Sequence, residues 1–270
     1  MATFRGASAD AVAALTDELG TVVSDPSRAA AVAGDLFSVA ATLRSEAALR
    51  RFATDASVPA EAKQGLVGEV FGSRVGADAV SLFAAAVARR WTNTRDLADA
   101  LEHLGVIATV RSAGAETGRL ADELFNFARA VKDHPELRDA LSDPARSVED
   151  KARLIGSLLD GKALPATASL ARQALAGTYR TVSAALDDYQ KTAAEVHGQA
   201  VATVRVARPL SAADSERLAG ALSRQYGRPV HLNLLVDPTV LGGIRVEIGD
   251  EVIDGTVSSR LDDARRRLVG

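Results

Sequence analysis

From Ala9 to about Arg180 the apolar residues recur every three or four positions, which is the spacing of an amphipathic helix. Leu36, Val39, Ala40 and Leu43 fall on one helical face, and Leu120, Leu124, Phe127 and Val131 on another. Alanine is abundant, and it combines the best helix propensity with a side chain small enough for close helix contacts. Breaks fall at Ser24-Asp25-Pro26, Ser57-Val58-Pro59, Asp143-Pro144 and Leu164-Pro165. Ser147, with Asp150 three residues later, has the form of a capping box that opens a helix. Short helices joined by short loops are expected throughout this region.

The helical region repeats itself. Adding 88 to a residue number maps Asp35-Leu36-Phe37 on Glu123-Leu124-Phe125, Leu49-Arg50 on Leu137-Arg138 and Asp55 on Asp143. The same step maps Glu61-Ala62-Lys63 on Glu149-Asp150-Lys151, Leu66-Val67-Gly68 on Leu154-Ile155-Gly156, Ser81-Leu82 on Ser169-Leu170, and Trp91 on Tyr179. The register holds without a gap from Asp35 to Trp91, so the pattern reads as duplication of one helical domain. Two copies are too few for a solenoid, and paired bundles follow.

From about Val201 the period changes to two. Ala202, Val204 and Val206 share one side of a strand, Val230, Leu232, Leu234 and Val236 one side of a second, and Ile244, Val246 and Ile248 one side of a third. Ser211 with Asp214 caps a helix carrying Leu218 and Leu222 that stops near Gly227 and Pro229. A short fourth strand is expected at Val252 and Ile253, then an Asp254-Gly255 turn and a last helix with Val257, Leu261, Ala264 and Leu268 on one face. Tyr179 to His197 reads as a connecting helix with Val182, Leu186 and Tyr189 as its apolar stripe. The expected fold is mainly α, with two tandem small helical bundles followed by a small α/β C-terminal domain. The expected divisions are residues 1–92, 93–180 and 181–270.

Composition narrows the function classes. The 270 residues are 47% hydrophobic and 25% charged, the balance of a globular protein with real cores. A formal net charge of −3 provides no basic field for nucleic acid. There is no cysteine, which excludes disulfides and thiolate metal sites. Met1 to Asp10 is polar, so no signal peptide is expected, and no apolar run approaches the roughly 20 residues of a membrane helix. His103, His134, His197 and His231 are scattered without metal-ligand spacing, and Gly242, Gly243 and Gly249 fit neither a Walker pattern nor a dinucleotide fingerprint. No catalytic, cofactor or metal site is therefore expected.

Residues Leu234 to Leu268 (LLVDPTVLGGIRVEIGDEVIDGTVSSRLDDARRRL) carry the most specific pattern in the chain. It resembles the C-terminal block of the F-type ATP synthase delta subunit family, whose mitochondrial relative is the oligomycin-sensitivity-conferring protein. The elements that match are Asp237, Leu241-Gly242-Gly243, Ile244 to Ile248, Asp254-Gly255-Thr256 and Arg260-Leu261. Physically the block specifies turns and a strand entry without assembling a reactive centre. The resemblance implies a non-catalytic stator subunit at the cytoplasmic face of the cell membrane, peripheral and not inserted. Its helical domain would receive N-terminal helices of the α subunits, and its C-terminal domain would engage the b-subunit stalk, keeping the head from turning with the rotor. It implies no cofactor.

An ordinary member of this family has one helical domain before the C-terminal one, so the first copy is extra. From its place in the chain, the second copy is expected to dock on the head. Candidate groove residues are Leu97, Leu101, Leu104, Leu170, Ala174 and Leu175, with plain core packing as the alternative for each. Arg260, Arg265, Arg266 and Arg267 are candidate stalk contacts or, alternatively, a solvated helix end that complements the macrodipole. A helical adaptor outside the synthase is the competing function.

Overall fold

A computed structural model describes residues 4–23, 25–176, 178–249, 251–259, 261 and 265–266. The chain is mainly helical and divides into two compact units, Met1–Ala193 and Ala194–Gly270. The first holds α1 (Ala7–Val22), α2 (Pro26–Ser45), α3 (Ala47–Thr54), α4 (Ala60–Phe71) and α5 (Ala77–Val87). It continues with α6 (Asp96–Ser112), α7 (Thr117–Asp133), α8 (Pro135–Ser142), α9 (Val148–Leu159) and α10 (Pro165–Gln173). The division between the units falls within α11 (Val182–Val196).

The sequence repeat is reproduced element by element. Adding 88 to the bounds of α3 and α4 gives the bounds of α8 and α9. The same step carries α2 onto the 3-10 turn Gly114–Glu116 plus α7, and α5 onto the start of α10. Helix pairings repeat as well, with α1 against α5 matched by α6 against α10, and α4 against α5 by α9 against α10. The local causes lie in the sequence. Asp25 caps α2 by accepting from the Arg28 amide at 3.0 Å, and Pro26 occupies its first turn, where a missing N–H costs nothing. Ser147 caps α9 through the Asp150 amide at 3.0 Å, as the capping-box spacing predicts.

One helix belongs to both copies. By the 88-residue step α6 corresponds to α1, and it also stands to the first copy as α11 stands to the second. The ion pair between Arg44 of α2 and Asp99 of α6, at 3.0 Å, has Lys132 of α7 and Asp187 of α11, at 2.8 Å, as its repeat mate. The packing of α6 follows from this double position. Twelve of its seventeen residues are buried and none is fully exposed, whereas α1 buries a single stripe of Ser8, Ala11, Val12, Leu15 and Leu19. Small residues let α2 approach closely: a Cβ on Gly105 would stand 2.6 Å from the Phe37 ring. The boundary expected after residue 92 therefore precedes a helix that packs with helices of both copies.

The second unit is a four-stranded sheet in the order β2-β1-β3-β4, made of β1 (Ala200–Val206), β2 (Val230–Val236), β3 (Ile244–Ile248) and β4 (Glu251–Asp254). β1 pairs with β2 in parallel and with β3 antiparallel, and α12 (Ala212–Tyr226) connects the parallel pair, as a parallel crossover requires. Alternation in β1 puts Ala200, Ala202, Val204 and Val206 into one core with Leu222, Val230, Val246 and Ile248. Ser211 opens α12 by accepting from the Asp214 amide, and Gly227 closes it at φ 67°. Residues 257–259 are helical, while Ala264 and Leu268 of the expected last helical face lie outside the described residues.

Candidate docking surfaces

α1 and α5 leave an open groove of about 510 Å³ between them. Its floor is made of the small side chains of Ala7, Ala11, Ala85 and Ala88, and its rim of Asp10, Glu18, Arg89 and Arg90. A floor of methyl groups permits close approach of a helix or entry of a larger apolar side chain, and mixed charges on the rim orient what enters. Arg89 and Glu18 pair across the groove at 3.9 Å, with both side chains about a third or more exposed, so the pair adds little rigidity.

The matching surface of the second copy is built differently. Four lining residues of the first groove, Ala7, Asp10, Ala11 and Arg90, have Arg95, Ala98, Asp99 and Thr178 as repeat mates, and these line a cavity of about 320 Å³ together with Arg44 and Arg50. Where α1 carries Ala11 and Ala14, α6 carries Asp99 and Glu102. Glu102 is 3% exposed and is the hub of a polar network. Its carboxylate pairs with Arg44 and accepts from Gln173 Nε2 at 3.0 Å, Thr178 Oγ1 at 2.7 Å and the Tyr189 hydroxyl at 3.2 Å. Deeper in, Phe4, His103, Tyr179 and Tyr189 leave only about 20 Å³. Tyr179 donates to Asp188 at 2.5 Å and meets the Tyr189 ring edge-on at 5.7 Å. Burial, and then the neighbouring carboxylates, push both phenol pKa values up, which keeps the hydroxyls as donors. Burial also lowers the pKa of His103, against the pull of Asp188 and Glu102.

The six residues read as groove candidates are mostly buried. Leu97, Leu101, Leu104 and Leu170 are fully buried, Ala174 is 6% exposed and Leu175 is half-buried. Leu97, Leu101, Leu104 and Leu170 pack in the interior of the helical unit, as the plain-core alternative has it for those four. In the second unit, Asp237 caps its own turn through Thr239, and Asp254 holds the Thr256 amide at 3.0 Å and its hydroxyl at 2.7 Å. These hydrogen bonds hold both aspartate pKa values below the usual carboxylate range. Gly243 sits at φ 82°, where a Cβ would lie 2.3 Å from the Gly255 carbonyl oxygen. Leu241, Val252, Val257 and Leu261 are exposed. Arg265 and Arg266 are exposed too, while Arg260 and Arg267 lie outside the described residues. Among the described residues no cluster of His, Asp or Glu is arranged to hold a metal ion, and no helix is long and apolar enough to cross a membrane.

Comparison with known proteins matches residues 106–268 to the family described as ATP synthase delta (OSCP) subunit. The chain belongs to the ATP synthase delta family. A Nocardioides protein named ATP synthase subunit delta is 57% identical, with all of this chain and 98% of that protein covered. Proteins of the same name from Streptomyces avermitilis and Streptomyces coelicolor are each 42% identical, over 98% and 99% of this chain and 99% of their own length. These delta relatives span the first copy as well, whereas the family match begins inside α6. The first copy is therefore part of this type of delta chain even though the family's shared pattern does not reach it. What the sequence reading missed is the Ala-floored groove of that copy. Its signal was present in the aligned pairs Ala11/Asp99 and Ala14/Glu102, where a duplication keeps the helix and changes what the helix can face.

Proposed function

We propose that this delta-family chain is a non-catalytic stator subunit, which joins the catalytic head of an F-type ATP synthase to its peripheral stalk at the cytoplasmic face of the cell membrane. The helical unit takes an N-terminal helix of the α subunit, and the sheet-containing unit takes the b subunit. What supports this reading is the Ala-lined groove with its mixed charges in the first unit, together with the exposed apolar side chains of Leu241, Val252, Val257 and Leu261 in the second. Arg265 and Arg266, exposed in the same unit, add positive charge for an acidic flank of a stalk helix. A coupling of this kind must hold under sustained torque, and apolar contact area resists load better than isolated exposed ion pairs.

The test is affinity capture with the tagged full-length chain from detergent-solubilised membranes. Recovery of both α and b supports the stator. Recovery of other helical proteins without either subunit would place the chain among adaptors outside the synthase and would end this reading.

A further inference from the structure

We propose that the two helical copies are not equivalent docking modules: the second copy's groove is lined with charge and tied to the first copy through Arg44, and the first copy carries the groove that receives the α-subunit helix. This inference rests on the stator reading and specifies which surface that reading uses. It reverses the expectation drawn from position in the chain.

The argument begins with the shared helix. α6 has one circumference and two sets of neighbours, since it closes the first copy against α2 and opens the second against α10. A face already covered by α2 is not available to an incoming helix. The side chains follow that constraint. In α1 the groove wall includes the buried Ala11, and in α6 its repeat mate is Asp99, which holds Arg44 at 3.0 Å. Arg44 also pairs with the buried Glu102, the mate of Ala14. A buried carboxylate that already has a guanidinium and three hydrogen-bond donors gains nothing from a new apolar neighbour, and displacing Arg44 would leave it uncompensated. The second copy is thus committed to an internal contact. The groove beside α1 holds no buried carboxylate of this kind among the described residues, and it is lined by Ala7, Ala11, Ala85 and Ala88.

The occupant is set by the same residues. An apolar stripe fits the alanine floor. An acidic flank meets Arg89 and Arg90 at one rim, and a basic flank meets Asp10 and Glu18 at the other. An amphipathic helix with unlike charges on its two flanks is the chemistry required.

The experiment uses the full-length chain and a synthetic peptide copying the N-terminal segment of the α subunit from the same synthase, measured by titration calorimetry. Ala88→Trp fills the first groove, and Ala176→Trp places the same bulk at its repeat mate; both positions are exposed, and circular dichroism checks that each variant keeps its helix content. The expected result is one peptide per chain, an affinity loss of at least about tenfold for Ala88→Trp, and no change for Ala176→Trp. Two equivalent peptides per chain, or a loss confined to Ala176→Trp, would overturn the inference and leave the stator role standing. If the peptide fails to bind while capture still recovers α, the inference falls alone; if capture also fails, both fall.

Discussion

Replacing Glu102 by alanine removes a carboxylate that four side chains, from α2, α10, α11 and the segment between the last two, use at once. The cost can be worked partner by partner. The Tyr189 hydroxyl sits in a residue only 1% exposed and is left without its acceptor, which costs about 1–3 kcal/mol. Arg44 keeps Asp99, and its side chain is 24% exposed, so water offsets much of its loss and about 1 kcal/mol remains. Thr178 is exposed and Gln173 half-buried, so both recover their bonds from water. The sum is about 3 kcal/mol. Glu102→Gln keeps an acceptor for Tyr189 and removes only the charge, so about 1 kcal/mol is expected. The assay is urea unfolding followed by tryptophan fluorescence. Trp91 is the single tryptophan and lies in the helical unit, where its Nε1 donates to the Ala86 carbonyl at 2.9 Å, so the signal reports that unit. An alanine variant that loses less than about 1 kcal/mol would refute the view that Glu102 organises the junction between the copies.

Further tests probe packing, backbone and protonation. Leu104→Ala, at a fully buried site, should cost about 2–5 kcal/mol in the same fluorescence-detected unfolding. Gly105→Ala drives a methyl into the Phe37 ring and should cost about 1–3 kcal/mol, with Phe37→Leu in the same chain restoring part of the loss. Ser211→Ala removes the cap of α12 and should lower the stability of the sheet-containing unit by about 1 kcal/mol, read by hydrogen exchange of β1 and α12 amides. Burial holds the folded His103 pKa below its ordinary value of 6.5, so on acidification the unfolded chain takes up this proton first. Stability from this group is complete above that value and declines as pH falls below it; the urea midpoint of the unmodified chain should drop more between pH 7 and pH 5.5 than that of His103→Gln.

Helix positions, capping residues, the strand alternation and the duplication were legible because each is a local pattern. The caps at Ser147 and Ser211 stand where the spacing placed them, and the strands carry Ala202, Val204 and Val206 on the core side. Local pattern also explains what stayed hidden. A 3.6-residue period reports that a helix has an apolar stripe and is silent on how many neighbours share its circumference. Leu97, Leu101 and Leu104 look alike whether they floor an open groove or pack inside a bundle, and in the fold they pack inside.

The information that separates those outcomes lies in the polar residues between the leucines. A helix opening an isolated copy can present an alanine toward solvent or a partner, as α1 does with Ala7. A helix serving two copies meets a neighbour on its remaining face, and there Asp99 and Glu102 appear with Arg44 aligned to them from α2. The pair Lys132 and Asp187 carries the same contact forward by 88 residues, so the junction between α2 and α6 is the ordinary closing contact of one copy used a second time as a joint between two. Duplication by sharing a helix therefore adds a module to the chain without adding a second free groove.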